Sequence, residues 1–382
     1  MKRLYTILIL ALISISLFPQ EEPKRITLNG YVSTLMSSMF ESLSDPFIND
    51  NLIHNRLNFK GYLSDNLTFA AEFRNRLFVG DMVRIRPMYA DIIASDQGVA
   101  DLSWNLLSES SFILNTAIDR LWFDINLGKI EARIGRQRIN WGQSLVWNPN
   151  DIFNAYSYFD FDYAERPGSD AIRFQYYPDA SSTVELALKA NNENEITAAA
   201  LYRFNKWSYD IQFLGGIVDN DELVAGTGWS GAFGSVSFRG EASWFQPLDN
   251  FTDTTGTGLF TAGIDKILAN NSMFQVQAMY CNRPVRFDEF DLLFTEDMTV
   301  KDLAFSRFSA FAYYSYPVTP LFTAGISAMW FPDLEGYFTG LSADYSVAGN
   351  VDFTFLWQHF NGLFGSSRTR INIGFLRIKF SF

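Results

Sequence analysis

The sequence predicts an all-β fold, a transmembrane antiparallel β-barrel of about 18 strands (about 16 the alternative) with a loop folded into its mouth. Three observations predict it. Segments of about ten residues alternate apolar and polar side chains from Ile26 to Phe382. Aromatic residues make up 16% of the 382 residues and charged residues only 19%, with 37 Phe, as an apolar outer belt with aromatic girdles requires. Short connections alternate along the chain with long ones, the asymmetry of barrels with tight periplasmic turns and longer external loops. The mean hydropathy of −0.02 fits, because lipid-facing and lumen-facing residues cancel.

Taken in order, the chain opens on Met1-Lys2-Arg3 and an uncharged apolar run, Leu4 to Phe18, before Pro19-Gln20-Glu21-Glu22. This reads as a secretory signal peptide over residues 1–20, followed by a single barrel domain over 21–382. The run is shorter than the ~20 residues of a helical span. No cysteine lies near the cleavage point, which excludes a lipoprotein, and the lone Cys281 has no internal disulfide partner. The net charge of −12 becomes −14 when Lys2 and Arg3 are removed, a balance that argues against nucleic acid as a partner.

Ile26–Ser37, Leu52–Leu63 and Leu67–Phe78 are the first alternating segments. In the second, Ile53, Leu57 and Phe59 share one face and His54, Arg56, Asn58 and Lys60 the other. In the third, Glu72, Arg74 and Arg76 share the polar face. Val79 to Ser111 is a long connection with room for a short helix. Asn115–Leu127 and a strand from Lys129 follow, joined at Gly128-Lys129, with Arg120, Asp124, Glu131 and Arg133 on the lumen side. Thirteen further segments run from Ala171 to Phe382. Their short connections fall at Asp179-Ala180-Ser181, Asn205-Lys206, Gly234-Ser235, Asn270-Asn271, Val318-Thr319 and Gly349-Asn350. The last segment alternates Leu376, Ile378, Phe380 and Phe382 against Arg377, Lys379 and Ser381, the pattern of a barrel assembly signal. Closure is required, because an open strand edge in lipid leaves backbone groups unpaired.

Between the strand ending Gly135-Arg136-Gln137 and the one starting near Ala171 lie roughly thirty residues without strand pattern, a length normally functional or disordered. Trp141, Trp147, Phe153, Tyr156 and Tyr158 argue for burial instead of disorder. The segment is expected to fold inward and narrow the pore. Strict alternation turns Arg136 outward, and a bulge near Gly135 is expected to return it to the lumen.

Gly135-Arg136-Gln137, Trp141-Gly142, Asn148-Pro149-Asn150-Asp151 and Glu165-Arg166-Pro167-Gly168 together resemble the alginate-export and related porin-like outer-membrane families. The resemblance covers about forty residues and implies a barrel that acts as a channel.

The expected lining combines Arg56, Arg74, Arg76, Arg120, Arg133 and Arg136 on the wall, with Glu131, Gln137 and Trp141. Asp151, Asp160, Asp162 and Glu165 of the loop are expected to oppose that wall, and Arg166 to anchor the loop. Opposed charges in a confined pore select ions or small polar and anionic solutes; the same charges can also tie neighbouring strands together. Loop aromatics offer stacking faces to saccharides. The partners so implied are outer-membrane lipid and such solutes; a non-conducting adhesin or assembly-complex subunit is the alternative. Enzyme chemistry has little to work with. His54 and His359 fall on opposite faces, and no Gly-x-Ser-x-Gly or His-Glu-x-x-His occurs. Asp219-Asn220-Asp221-Glu222 and Asp160-Phe161-Asp162 lack EF-hand spacing, so neither metal nor cofactor is expected.

Overall fold

A computed structural model describes residues 25–159, 161, 165, 166, 168–249, 251–285 and 298–382. The expected signal segment, 1–20, and Asp160 and Asp162 lie outside the described residues.

Six strands form the first part of the wall: β1 (Ile26–Phe40), β2 (Ile48–Tyr62), β3 (Leu67–Gly80), β4 (Ser103–Ser108), β5 (Phe112–Asn126) and β6 (Ile130–Gln137). After the long loop come β7 (Ser169–Tyr176), β8 (Ser182–Ala190), β9 (Ile196–Lys206), β10 (Tyr209–Val218), β11 (Glu222–Phe233) and β12 (Val236–Pro247). The circuit continues through β13 (Thr257–Ile267), β14 (Met273–Cys281), β15 (Phe308–Thr319) and β16 (Phe322–Phe331). It ends with β17 (Gly336–Ala348), β18 (Val351–Phe364) and β19 (Ser367–Ser381), which pairs back with β1. All pairings are antiparallel. Without β4, which pairs only with β5, the closed barrel has 18 strands.

Period-two alternation places the apolar set outside. Ile53, Phe123, Ile134, Ile172, Leu186, Phe213, Trp330 and Leu376 are all more than a third exposed. A continuous outward face of this kind is stable in lipid rather than in water. Most of the tight turns, the start of β1 and the end of β19 share one rim. At the β9–β10 turn, Trp207 and Ser208 both adopt left-handed φ (56° and 64°), the twist a two-residue hairpin needs. The turn expected at Asn205-Lys206 thus lies two residues later. An even shift leaves every side chain on its expected face.

Two departures concern the charged wall. In β5 the register slips by one between Glu72 and Phe73 of β3, so Asp119 is an extra residue. Such a bulge lets neighbours point the same way, and Asp119 and Arg120 are both buried. At Gly135 the expected bulge is absent: β6 stays in register with β5 and β7. Gly135 instead takes φ 117°, which a side chain would strain.

The connection after β3 holds two short helices, Asp81–Ile85 and Tyr89–Ala94, and then β4, which the sequence did not suggest. A register slip between Asn105 and Leu107 breaks its alternation. β6 and β7 have only eight residues each, against fifteen in β5. β4 pairs with the upper part of β5, and Gly98 bridges to Asn191 beyond β8, so this connection completes the wall above the two short strands.

Candidate functional site

The described residues between β6 and β7 (138–159, 161, 165, 166 and 168) touch almost the whole inner circumference. Trp141 Nε1 donates to Glu185 Oε1 on β8 (2.7 Å), and Gln212 Nε2 on β10 donates to the Trp141 carbonyl (2.6 Å). Glu241 on β12 accepts the backbone N–H groups of Gln143 (2.5 Å), Ser144 (2.5 Å) and Asn150 (2.8 Å). Three charge-assisted bonds to one fully buried carboxylate make this the principal anchor. Gln277 on β14 accepts from Val146 N–H and donates to the Trp147 carbonyl, both at 3.0 Å.

Aromatic packing carries the loop further. Phe159 stacks on Phe305 and meets Phe338 edge-on at 5.0 Å, and Phe161 reaches Phe375 and Arg377 of β19. The return limb comes back to β5, where Arg120 donates to the carbonyls of Glu165 (3.1 Å) and Arg166 (2.6 Å). Arg166, at φ 65°, lays its guanidinium over Tyr156 at 3.8 Å.

The turn motifs explain themselves locally. The Asp151 N–H closes a turn on the Asn148 carbonyl (3.0 Å) after Pro149. Gly142 leaves room for the Asn148 carboxamide, to which a Cβ would come within 2.6 Å. Gly228, inward on β11, does the same for Asn150 and Gln143.

On the other wall, the expected arginines converge but are extensively paired. Arg56 donates to Glu72 (2.5 Å) and to Asp119, and its charge also feels Glu165. Arg133 pairs with Asp124 (2.8 Å) and Glu131 (3.2 Å), and Arg173 joins Glu131 (3.0 Å). Arg76 donates to Asn115 Oδ1 (3.0 Å) and the Ile93 carbonyl (3.1 Å). Arg74 is buried beside Asp119. Arg136 clamps Asp170 (2.7 Å) and Asp96 (2.5 Å) and donates to the Ala100 carbonyl, fastening the β3–β5 connection over the short strands.

Several lining expectations change. Trp141, Gln137 and Asp151 are at most 1% exposed, packed within the loop and its anchor and facing no open path. Asp151 therefore does not oppose the arginines: its Oδ1 accepts the Trp141 N–H and Arg138 lies 3.9 Å from Oδ2. Burial pushes its carboxyl up to about 8, with Arg138 pulling it down and Glu241 pushing it up. Of the loop acids expected to face the basic wall, only Glu165 does so among the described residues. Sequence reasoning missed Asp119, hidden by the bulge, and the anchors Glu185, Gln212, Glu241 and Gln277. Their signal was present as polar residues at inward positions of otherwise small or apolar strand faces.

A cavity of about 410 Å³ opens at the tops of β6 and β7. Arg74, Arg76, Arg136 and Lys189 line it together with Asp96, Asp119, Asp170 and Glu195. Among the described residues, no cluster of three or more His, Cys, Asp or Glu is placed to hold a metal ion. His54 is buried in the lumen wall, while His359 stacks on Trp357 on the outer face.

Solved structures share this architecture. Pseudomonas aeruginosa OprD aligns with a TM-score of 0.59 over 95% of this chain and 96% of its own, at 9% identity. Acinetobacter baumannii OccAB4 gives 0.59 over 94% and 100% at 10% identity, and Pseudomonas aeruginosa OpdQ 0.59 over 94% and 98% at 11%. This chain has their fold. No protein-family model matches the sequence, and no curated protein is similar to it. Of the resemblance carried by the loop motifs, the porin-like barrel is what these likenesses support. In this porin-like barrel the two walls do different work: β8–β18 hold the loop, and β1–β3 with β5 and β6 present paired charges.

Proposed function

We propose that the chain is an outer-membrane channel, exported with residues 1–20 as its signal peptide, that lets small polar or anionic solutes diffuse passively. The observation that carries this reading is the loop's course: it covers the apolar wall and leaves the charged wall facing its return limb. A path bounded by Arg74, Arg76 and Arg120 on one side, with the fully buried Arg56 behind them, and by Glu165 on the other orders dipolar or anionic solutes as they pass. The charged cavity above β6 and β7 supplies a polar vestibule to the same path. The similarity in fold to OprD and the Occ barrels supports a channel without naming its solute. A saccharide slide draws no support from Trp141 and Trp147, whose rings are packed away.

Purified protein in planar bilayers should conduct with no added energy source. Its reversal potential in a salt gradient should move toward cations in the Arg74→Ala, Arg133→Ala double variant. Electrical silence together with no solute flux in swelling assays favours the adhesin or assembly-subunit reading instead. An unchanged potential means that these arginines serve only as wall ties.

A further inference from the structure

The lipid-facing side of β1, β2, β3 and β5 carries a row of hydrogen-bonding side chains that a channel does not need. His54 and Arg56, Arg74 and Arg76, and Asn115 are buried toward the lumen. Alternation therefore turns Asn55, Asn75 and Thr116 outward. The register sets Asn55 opposite Asn75 and Asn75 opposite Thr116. Thr116 Oγ1 donates to Asn75 Oδ1 (2.9 Å), Asn75 Nδ2 to Asn55 Oδ1 (3.1 Å), and Asn55 Nδ2 to the Tyr31 carbonyl (3.1 Å). The strip climbs toward the loop rim through Thr34 to Asn51 (3.1 Å) and Ser38 to Asn49 (2.8 Å).

Each carboxamide has two N–H donors and acceptor room for two bonds. The row uses one N–H of Asn55 and one of Asn75, and the second N–H of each has no partner among the described residues. Depth makes this costly. Asn55 is the middle residue of the fifteen in β2, with Ile53 and Leu57 beside it on the same face. The middle of a strand of that length lies within the apolar band, about 25 Å tall. Lipid tails offer nothing to an N–H there. Across the barrel, the mid-strand outward positions of β9, β10, β12, β13 and β14 are Ala200, Gly215, Ala242, Ala262 and Ala278, which ask for nothing. That of β11 is Thr227, whose hydroxyl donates to the Gln212 carbonyl (3.0 Å) and leaves no N–H to satisfy.

We propose that this face is where a second copy of the chain packs, carboxamide row against carboxamide row, within the membrane. Two facts select that occupant. A soluble protein cannot reach mid-membrane, so the partner is itself a membrane protein. A carboxamide row is also self-complementary, since the spare N–H groups of one copy meet the spare acceptor lone pairs of another. The proposal rests on the barrel standing in a membrane but not on what it conducts.

Cross-linking in outer membranes tests it. Ile53→Cys is exposed beside the row, Ile326→Cys is exposed on β16, five strands round the barrel from β2, and the native Cys281 is fully buried. With a short bis-maleimide, Ile53→Cys should give a band of twice the chain mass and Ile326→Cys none. In mild detergent, the wild type should sediment as an oligomer. Its oligomeric fraction should fall at least tenfold in Asn55→Leu, Asn75→Leu, Thr116→Val, with the folded barrel's mobility on unboiled gels retained. A monomeric Ile53→Cys protein, an adduct of any other mass, or an unchanged assembly in the triple variant overturns the proposal. The single-cysteine result stands even if the triple variant fails to fold, because it keeps the native row.

Discussion

The two walls of this barrel use the same alternation for opposite purposes. Along β8–β18 the inward residues that meet the loop are mostly small, apolar or singly polar, with charged pairs such as Arg239 and Asp265 set apart from it. They bind the loop: Glu241 takes three of its N–H groups, while Phe338 and Phe360 receive Phe159. Along β1–β3, β5 and β6 the inward residues are charged and bind chiefly one another, as in Arg56 with Glu72 and Asp119. The difference teaches that a lumen position is defined by what fills the space before it. Where the loop lies against the wall, burial demands apolar contact and full hydrogen-bond satisfaction. Where it does not, charge is tolerated because solvent or a paired group reaches it.

Removing the anchor should have the largest effect. Glu241→Leu leaves three loop N–H groups buried without an acceptor, at about 1–3 kcal/mol each. The loop should undock while the barrel persists, raising single-channel conductance severalfold with unboiled-gel mobility unchanged. An unaltered conductance would show that aromatic packing alone holds the loop.

Breaking the charged wall comes next. Arg56→Ala strands the buried Asp119, a change of about 3–5 kcal/mol when one partner of a buried pair is lost. Its denaturant midpoint should fall, and its reversal potential should shift toward cations because Glu72 and Asp119 lose one balancing positive charge, with Arg74 and Arg120 still beside Asp119.

A subtler test concerns protons on the loop-holding side. Asp151, with Arg138, Arg166 and Glu241 acting on it, keeps its proton up to about pH 8 when docked, and loses it near 3.8 when free. Docking therefore binds a proton, and weakens as pH rises between those values. Loop-opening events should become more frequent from pH 5 to 8, by up to about tenfold per unit, and level off above. Asp151→Asn should abolish the slope in single-channel recordings at graded pH.

The smallest effect sharpens the contrast. Gly228→Ala would bring a Cβ within 3.0 Å of Asn150 and Gln143 and should raise open-channel noise slightly. Gly374→Ala, with nothing within 4 Å, should match the wild type in the same recordings.

By itself the sequence determined the barrel, its strand count and the face of nearly every strand residue. These follow from a period of two, which survives errors of turn placement such as Asn205-Lys206 against Trp207-Ser208, provided the shift is even. It also showed that Trp141 to Gly168 folds inward, because so many aromatics gain from burial. What only the tertiary structure decided lies where that period fails or where distant strands meet. One extra residue in β5 brings Asp119 in to pair with Arg56, and no pattern of alternation announces a bulge. β4 fills the wall above β6 and β7 because those strands are short, a need visible only once their neighbours are in place. Asp151 lies by the Glu241 anchor and Arg138 of its own loop and not by the wall arginines, since the loop's course is set by hydrogen bonds to β8, β10, β12 and β14. Those partners lie tens of residues away in the chain, and only closure of the barrel brings them to the loop.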